Sequence, residues 1–106
     1  MGWLWLLAAG VFEVGFTTCL KLSENFSRWP WTVGFWICAA ASFSLLSKAI
    51  TTIPLGTAYA VWTGIGAFGT ALIGIVFFKD PLTFWRLFFL FLLIAAVIGL
   101  KLVSSA

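Results

Sequence analysis

A chain of 106 residues that is 63% hydrophobic and only 8% charged is no soluble globular domain. Such domains carry about a quarter of their residues as charges, and a chain this small has too little interior to hide so much apolar surface. The solvent is lipid. The net charge of +3 rests on six cations, Lys21, Arg28, Lys48, Lys79, Arg86 and Lys101, spread singly at the ends of apolar runs; they read as interfacial anchors and argue against a nucleic-acid partner.

The first apolar run, about residues 3–22, opens on "MGWLWLL", which lacks the basic start of a cleavable signal peptide. Its stretch "LAAGVFEVGFT" holds one acid, Glu13, with no basic residue within four positions. Counted from Trp3, Glu13 lies about 15 Å along a helix, half of a roughly 30 Å hydrocarbon core. Leu6, Gly10, Glu13, Thr17 and Lys21 follow helical steps and share a face, with Phe16 beside it. Gly10 either leaves room next to the acid or serves close helix packing. Cys19 in this run and Cys38 in the next read as small hydrophobes. With no histidine and no CxxC spacing, neither a disulfide nor a metal pair is predicted.

"LSENFSRWP" is a polar first loop, and Pro30 opens a second helix over about 31–50. There "ASFSLLSKA" supplies Ser42 and Ser44, which can bond a carboxylate or simply their own backbone. Pro54 and Gly56 in "ITTIPLG" mark the start of a third helix over about 54–78. On it Tyr59, Trp62 and Thr63 share a face and combine aromatic surface with three polar hydrogens. That is a cation site by composition, or a packing stripe that happens to be aromatic. Gly64 and Gly66 permit a bend of the kind alternating access uses, or only close packing. Gly66, Thr70 and Gly74 form a ridge of small residues. In "FFKDPLT", Asp80 is expected to cap a fourth helix over about 83–103, with Pro81 at its first position. Ala95 and Gly99 on that helix are a candidate dimer seam.

All four runs are near the roughly 20 residues a spanning helix needs, and none resembles the short alternating strands of a membrane barrel. The predicted fold is therefore an all-α membrane protein, a single domain over 1–106 with four transmembrane helices. Trp3, Trp5, Trp29, Trp31 and Trp85 fall where an aromatic belt belongs. Helix order puts the N-terminus, Lys48 and Lys101 on one side and Lys21, Arg28, Lys79 and Arg86 on the other. This weak bias is open to one fixed orientation or to both. A lone acid at mid-membrane is costly when ionised and is a functional site by default. It can hold a proton or a cation, not both at once, which is the minimal chemistry of proton-coupled cation transport; the plain alternative is a protonated acid bonded between helices. No cofactor or metal is expected, and no nucleophile with a base suggests an enzyme.

With "GVFEV", "PLGTAYAVWTGIGAFG", "KDPLT" and the ending "GLK", the whole chain resembles the small multidrug resistance family of proton-coupled exporters. The resemblance implies an antiparallel, dual-topology homodimer in the bacterial inner membrane, in which the second copy supplies the repeat that alternating access needs. Thr57, Thr63, "KDP" and Lys101 look like the guanidinium-exporter branch. By that likeness Glu13 is the shared proton and substrate site, Ser42 and Trp62 hold its carboxylate, Tyr59 lines the cavity and Gly10 makes space. Phe16 departs, since that branch usually has tryptophan there, and Thr17 and Thr18 look like the quaternary-ammonium branch. Export of guanidinium-type cations, export of larger quaternary or hydrophobic cations, and a non-transporting subunit of a heteromeric pair all remain open at this point.

Overall fold

The computed structural model describes residues 2–103. It has four helices: α1 (Gly2–Leu22), α2 (Trp29–Ala49), α3 (Leu55–Phe77) and α4 (Phe84–Val103). Each has 20 to 23 residues and is long and apolar enough to cross a membrane, spanning about 30–35 Å at 1.5 Å per residue. Their surfaces are apolar nearly all round, so large hydrophobic side chains from Leu4 to Val103 face outward, as a lipid solvent allows.

Turn chemistry sets the boundaries. Ser23 is buried at the end of α1; its hydroxyl donates to the Leu20 carbonyl at 2.8 Å and accepts the Phe26 N–H at 3.1 Å. Glu24, Asn25 and Phe26 then run through the left-handed region, with φ of 48°, 63° and 65°, and reverse the chain. Pro30 sits in the first turn of α2, which begins at Trp29, two residues before its expected start. Pro54 caps α3 through its carbonyl, which accepts the Ala58 N–H at 2.9 Å.

The start of α4 corrects one expectation. Asp80 does not cap it. Thr83 does: its hydroxyl accepts the Arg86 N–H at 3.2 Å and its carbonyl the Leu87 N–H at 3.1 Å. Asp80 turns back because Lys79 takes a left-handed φ of 58°, which returns the Asp80 N–H to the Gly74 carbonyl at 3.0 Å. Its carboxylate lies where a Cβ on Gly74 would stand.

The helices pack as an open strip in the order α2, α1, α3, α4, with a brief contact between α2 and α3. Its Cα extents are 43 × 35 × 16 Å, so the strip is thin. The core lies where α1, α2 and α3 meet, around Leu6, Ala9, Ala49, Ile53, Ala58, Val61 and Trp62. α4 has no buried residue; it leans on α3 through Val97 and Leu93 against Gly64 and reaches α1 through Lys101, whose ammonium stands 5.0 Å from the Trp3 ring centre. Lys48 covers Trp5 at 4.7 Å. Lys48 and Lys101 thus meet the start of α1 at one end of the strip. Lys21 lies over Phe78 at 5.8 Å.

Candidate functional site

α1 lies in a groove of small residues on α3. A Cβ at Gly66 would overlap Glu13, and one at Gly69 would overlap Val14. A Cβ at Gly10 would come within 2.6 Å of Ile65 Cγ2. The helix backbones therefore approach closely, as small residues allow in lipid. This shapes the site: the Glu13 carboxyl group rests directly on the Gly66 backbone, half-buried between the two helices.

One oxygen of that carboxyl, Oε1, is buried with no hydrogen-bond partner among the described residues. Buried polar atoms are almost always paired, and an ionised carboxylate in a membrane costs several kcal/mol when left bare. A proton or a cation at this oxygen removes the cost. None of the described residues supplies such a partner.

The neighbours expected to hold Glu13 are bonded elsewhere. Ser42 is fully buried, and its hydroxyl donates to the Ala9 carbonyl at 2.7 Å and accepts Trp62 Nε1–H at 2.9 Å. Both residues thus serve a junction of α1, α2 and α3, and neither bonds Glu13. Ser44 is exposed. Gly10 makes no open space beside the acid, because Ile65 fills it. The Thr63 hydroxyl turns back to the Tyr59 carbonyl at 2.8 Å and the Ala60 carbonyl at 3.2 Å, within its own helix.

Thr17, one turn from Glu13, meets Thr70 across the α1–α3 seam at 2.7 Å. Thr17 also donates to the Val14 carbonyl at 3.0 Å. A hydroxyl has one proton, so Thr70 is the donor to Thr17. The signal for Thr70 in the sequence was its place four residues after Gly66; its partner was not visible there.

An aromatic row crosses α1, α2 and α3. Phe16 stacks on Phe43 at 6.2 Å with an interplanar angle of 13°, Phe43 meets Trp62 at 5.3 Å, and Trp62 meets Tyr59 at 5.8 Å. Phe16 also takes Phe35 edge-on at 5.8 Å. Phe43 and Tyr59 are both more than half exposed, so the row reaches the surface of the strip, and aromatic rings there are groups that attract cations.

Gly64 and Gly66 lie in an uninterrupted α3, one packed against α4 and the other against Glu13. Ala95 is exposed, and a Cβ at Gly99 would meet nothing within 4 Å, so the small-residue face of α4 has no partner within the described chain.

Against known proteins, the family model described as Small Multidrug Resistance protein matches residues 1–93. A Bacillus licheniformis protein named "Probable guanidinium efflux system subunit GdnD" is 46% identical over 98% of this chain and 100% of its own length. A Yersinia pseudotuberculosis protein named "Guanidinium exporter" is likewise 46% identical, over 98% and 100%. One of the same name from Salmonella typhimurium is 44% identical over 96% of this chain and 97% of its own.

Proposed function

The chain belongs to the small multidrug resistance family, and on that footing we propose that it is a proton-coupled antiporter that exports guanidinium or small guanidinyl cations. Four membrane-length helices and bacterial exporter relatives make it an integral protein of the bacterial inner membrane. The observation that carries the proposal is the unpartnered Oε1 of Glu13, half-buried between α1 and α3. A cation from the inside displaces the proton there, and a proton from the outside displaces the cation. Guanidinium is planar and rich in N–H donors, which suits recognition by carboxylates. The names of the relatives, guanidinium exporter and guanidinium efflux subunit, support this choice of cation.

The functional unit in this reading is an antiparallel homodimer with two Glu13 side chains facing one cavity. The unpartnered face of α4 at Ala95 and Gly99 and the near-balanced cations at the two ends support it. Gly64 and Gly66 are where α3 bends as the dimer exchanges its open face. Two like acids in one cavity titrate as a pair. The test is Glu13→Gln in proteoliposomes: the variant is expected to assemble and to lose proton-driven guanidinium uptake. Uphill export at the unaltered chain's rate by that variant sinks the mechanism.

Two observations favour other readings. The exposed rings of Phe43 and Tyr59 favour larger quaternary or hydrophobic cations, and proton-coupled currents with guanidinium and with tetraalkylammonium ions separate the two. The word "subunit" in two relatives' names favours a heteromeric pair. A single orientation, seen by labelling Arg28 and Lys48 positions from one side, would favour the pair over the homodimer.

A further inference from the structure

The small-residue ridge of α3, Gly66, Thr70 and Gly74, meets a polar group at each of its steps. The Glu13 carboxyl lies on Gly66, the Thr17 hydroxyl bonds Thr70 at 2.7 Å, and the Asp80 carboxylate lies on Gly74. Neighbouring steps are four residues, or about 6 Å, apart. α1 runs beside α3 in the same direction, since Glu13 and then Thr17 meet Gly66 and then Thr70. A line of oxygens thus follows the α1–α3 seam from the lone acid to the end of α3 at Phe77. Asp80 joins that line because the left-handed Lys79 folds the loop back, and nothing in the spacing of the sequence reports such a return.

At this end of the seam lies a cavity of about 160 Å³ whose lining includes Thr17, Thr18, Thr70, Lys21, Gly74 and Asp80. At about 30 Å³ for each water it holds several waters, and so a small planar cation. Asp80 and Lys21 are exposed, so it opens at the end of the strip. Its hydroxyl protons are already committed. Thr17 donates to the Val14 carbonyl at 3.0 Å, Thr18 donates to the same carbonyl at 2.8 Å, and Thr70 donates to Thr17. A hydroxyl has one proton and two lone pairs, so what these threonines have left is acceptor. The Asp80 carboxylate is acceptor-only as well, and it makes no ion pair among the described residues. It also stands at the negative end of α3, where a cation is favoured. The ammonium of Lys21 leans over the Phe78 ring at 5.8 Å instead of pairing with it.

We propose that this cavity is a second binding site, a weak outer station for a guanidinium-class cation on its way to or from Glu13. The Asp80 carboxylate and the oxygens of Thr17, Thr18 and Thr70 accept its N–H groups. Lys21 repels it and keeps the stay short, because a site on a route has to bind weakly enough to let go. The station rests on the cation-transport reading of Glu13 above.

A first test removes Glu13 from the readout. In a Cys19→Ser/Cys38→Ser/Glu13→Gln background, Thr18→Cys places the sole thiol of the full chain in the cavity, and its rate of reaction with N-ethylmaleimide in lipid nanodiscs is read by intact mass. Millimolar guanidinium chloride is expected to slow that rate several-fold relative to the same concentration of sodium chloride. Adding Asp80→Asn is expected to remove the protection, and Asp80→Glu to keep it. Equal rates in the two salts, or protection that survives Asp80→Asn, overturn the proposal. A second test keeps Glu13 and all other residues and follows guanidinium-evoked proton currents in proteoliposomes. There Asp80→Asn is expected to raise KM several-fold and to change the maximal rate less; an unchanged KM also overturns the proposal. A chain that guanidinium protects but does not cross keeps the outer site and fails the transport reading instead.

Discussion

Gly66→Ala tests the geometry at Glu13 most directly. The added methyl would occupy the position of the Glu13 carboxyl group, overlapping Oε1, Cδ and Cγ. All three are atoms of the Glu13 side chain, so it is the carboxyl that has to move off the Gly66 backbone. Overpacking of this kind costs roughly 1–3 kcal/mol. If it falls on the substrate-bound state, at about 1.4 kcal/mol per tenfold it becomes about a 5- to 140-fold loss in apparent affinity. Two assays read it: guanidinium-evoked proton currents in proteoliposomes, and thermal unfolding in detergent. Glu13→Asp withdraws the carboxyl by one methylene, so the double variant Gly66→Ala/Glu13→Asp is expected to recover part of the loss. A coupling of about 0.5–3 kcal/mol is usual for residues in contact. This pair also separates crowding from stiffening of α3, because shortening residue 13 relieves only crowding. Gly56→Ala, where a Cβ meets nothing within 4 Å, is the control and should leave both assays unchanged or slightly improved. Wild-type affinity and melting for Gly66→Ala, or strict additivity in the double variant, would refute the packing of Glu13 on Gly66.

Other substitutions probe the neighbouring contacts. Ser42→Ala leaves the buried Trp62 N–H unpaired and frees the Ala9 carbonyl; it should destabilise the fold by about 1–3 kcal/mol, read as a lower melting temperature and altered tryptophan emission, and an unchanged melting curve would contradict the junction described above. Thr83→Ala should cost about 0.5–2 kcal/mol through loss of the α4 cap, whereas Asp80→Ala should not fray that helix; hydrogen exchange at the Arg86 amide distinguishes them, and the opposite pattern would restore Asp80 as the cap. Thr70→Val removes the donor to Thr17 and should cost about 0.6 kcal/mol, a typical interhelical bond in a membrane, with Thr70→Ser retaining it. Equal unfolding curves for the valine and serine variants would mean that the seam bond contributes nothing.

Length and apolarity made the four spans legible, and the isolation of Glu13 in an apolar run made the acid legible. What one helix shows another was not. Ser42 and Trp62 were expected to bond the carboxylate and instead bond each other and Ala9. Gly10 was expected to make room and is filled by Ile65. In a soluble helix a polar face fixes the rotation about its axis. Here the helices are apolar nearly all round, so small residues on the partner set that rotation, and a small residue in a sequence does not say which helix it receives. The misplaced cap has a more local cause: Lys79 adopts a left-handed backbone without being glycine, which sends Asp80 back to α3.

The order α2, α1, α3, α4 has a geometric consequence. A bundle whose first and last helices touch encloses space; a strip 16 Å thick does not. Its packed core is confined to the junction of α1, α2 and α3, and α4 closes nothing against α2. In the proposed dimer the Glu13 carboxyl and the exposed rings of Phe43 and Tyr59 would belong to one wall of the chamber, with the second copy as the other. A water-filled route across the bilayer needs at least one more wall, and whatever supplies that wall determines the width of the route, the number of carboxyl groups facing it and the size of cation it admits.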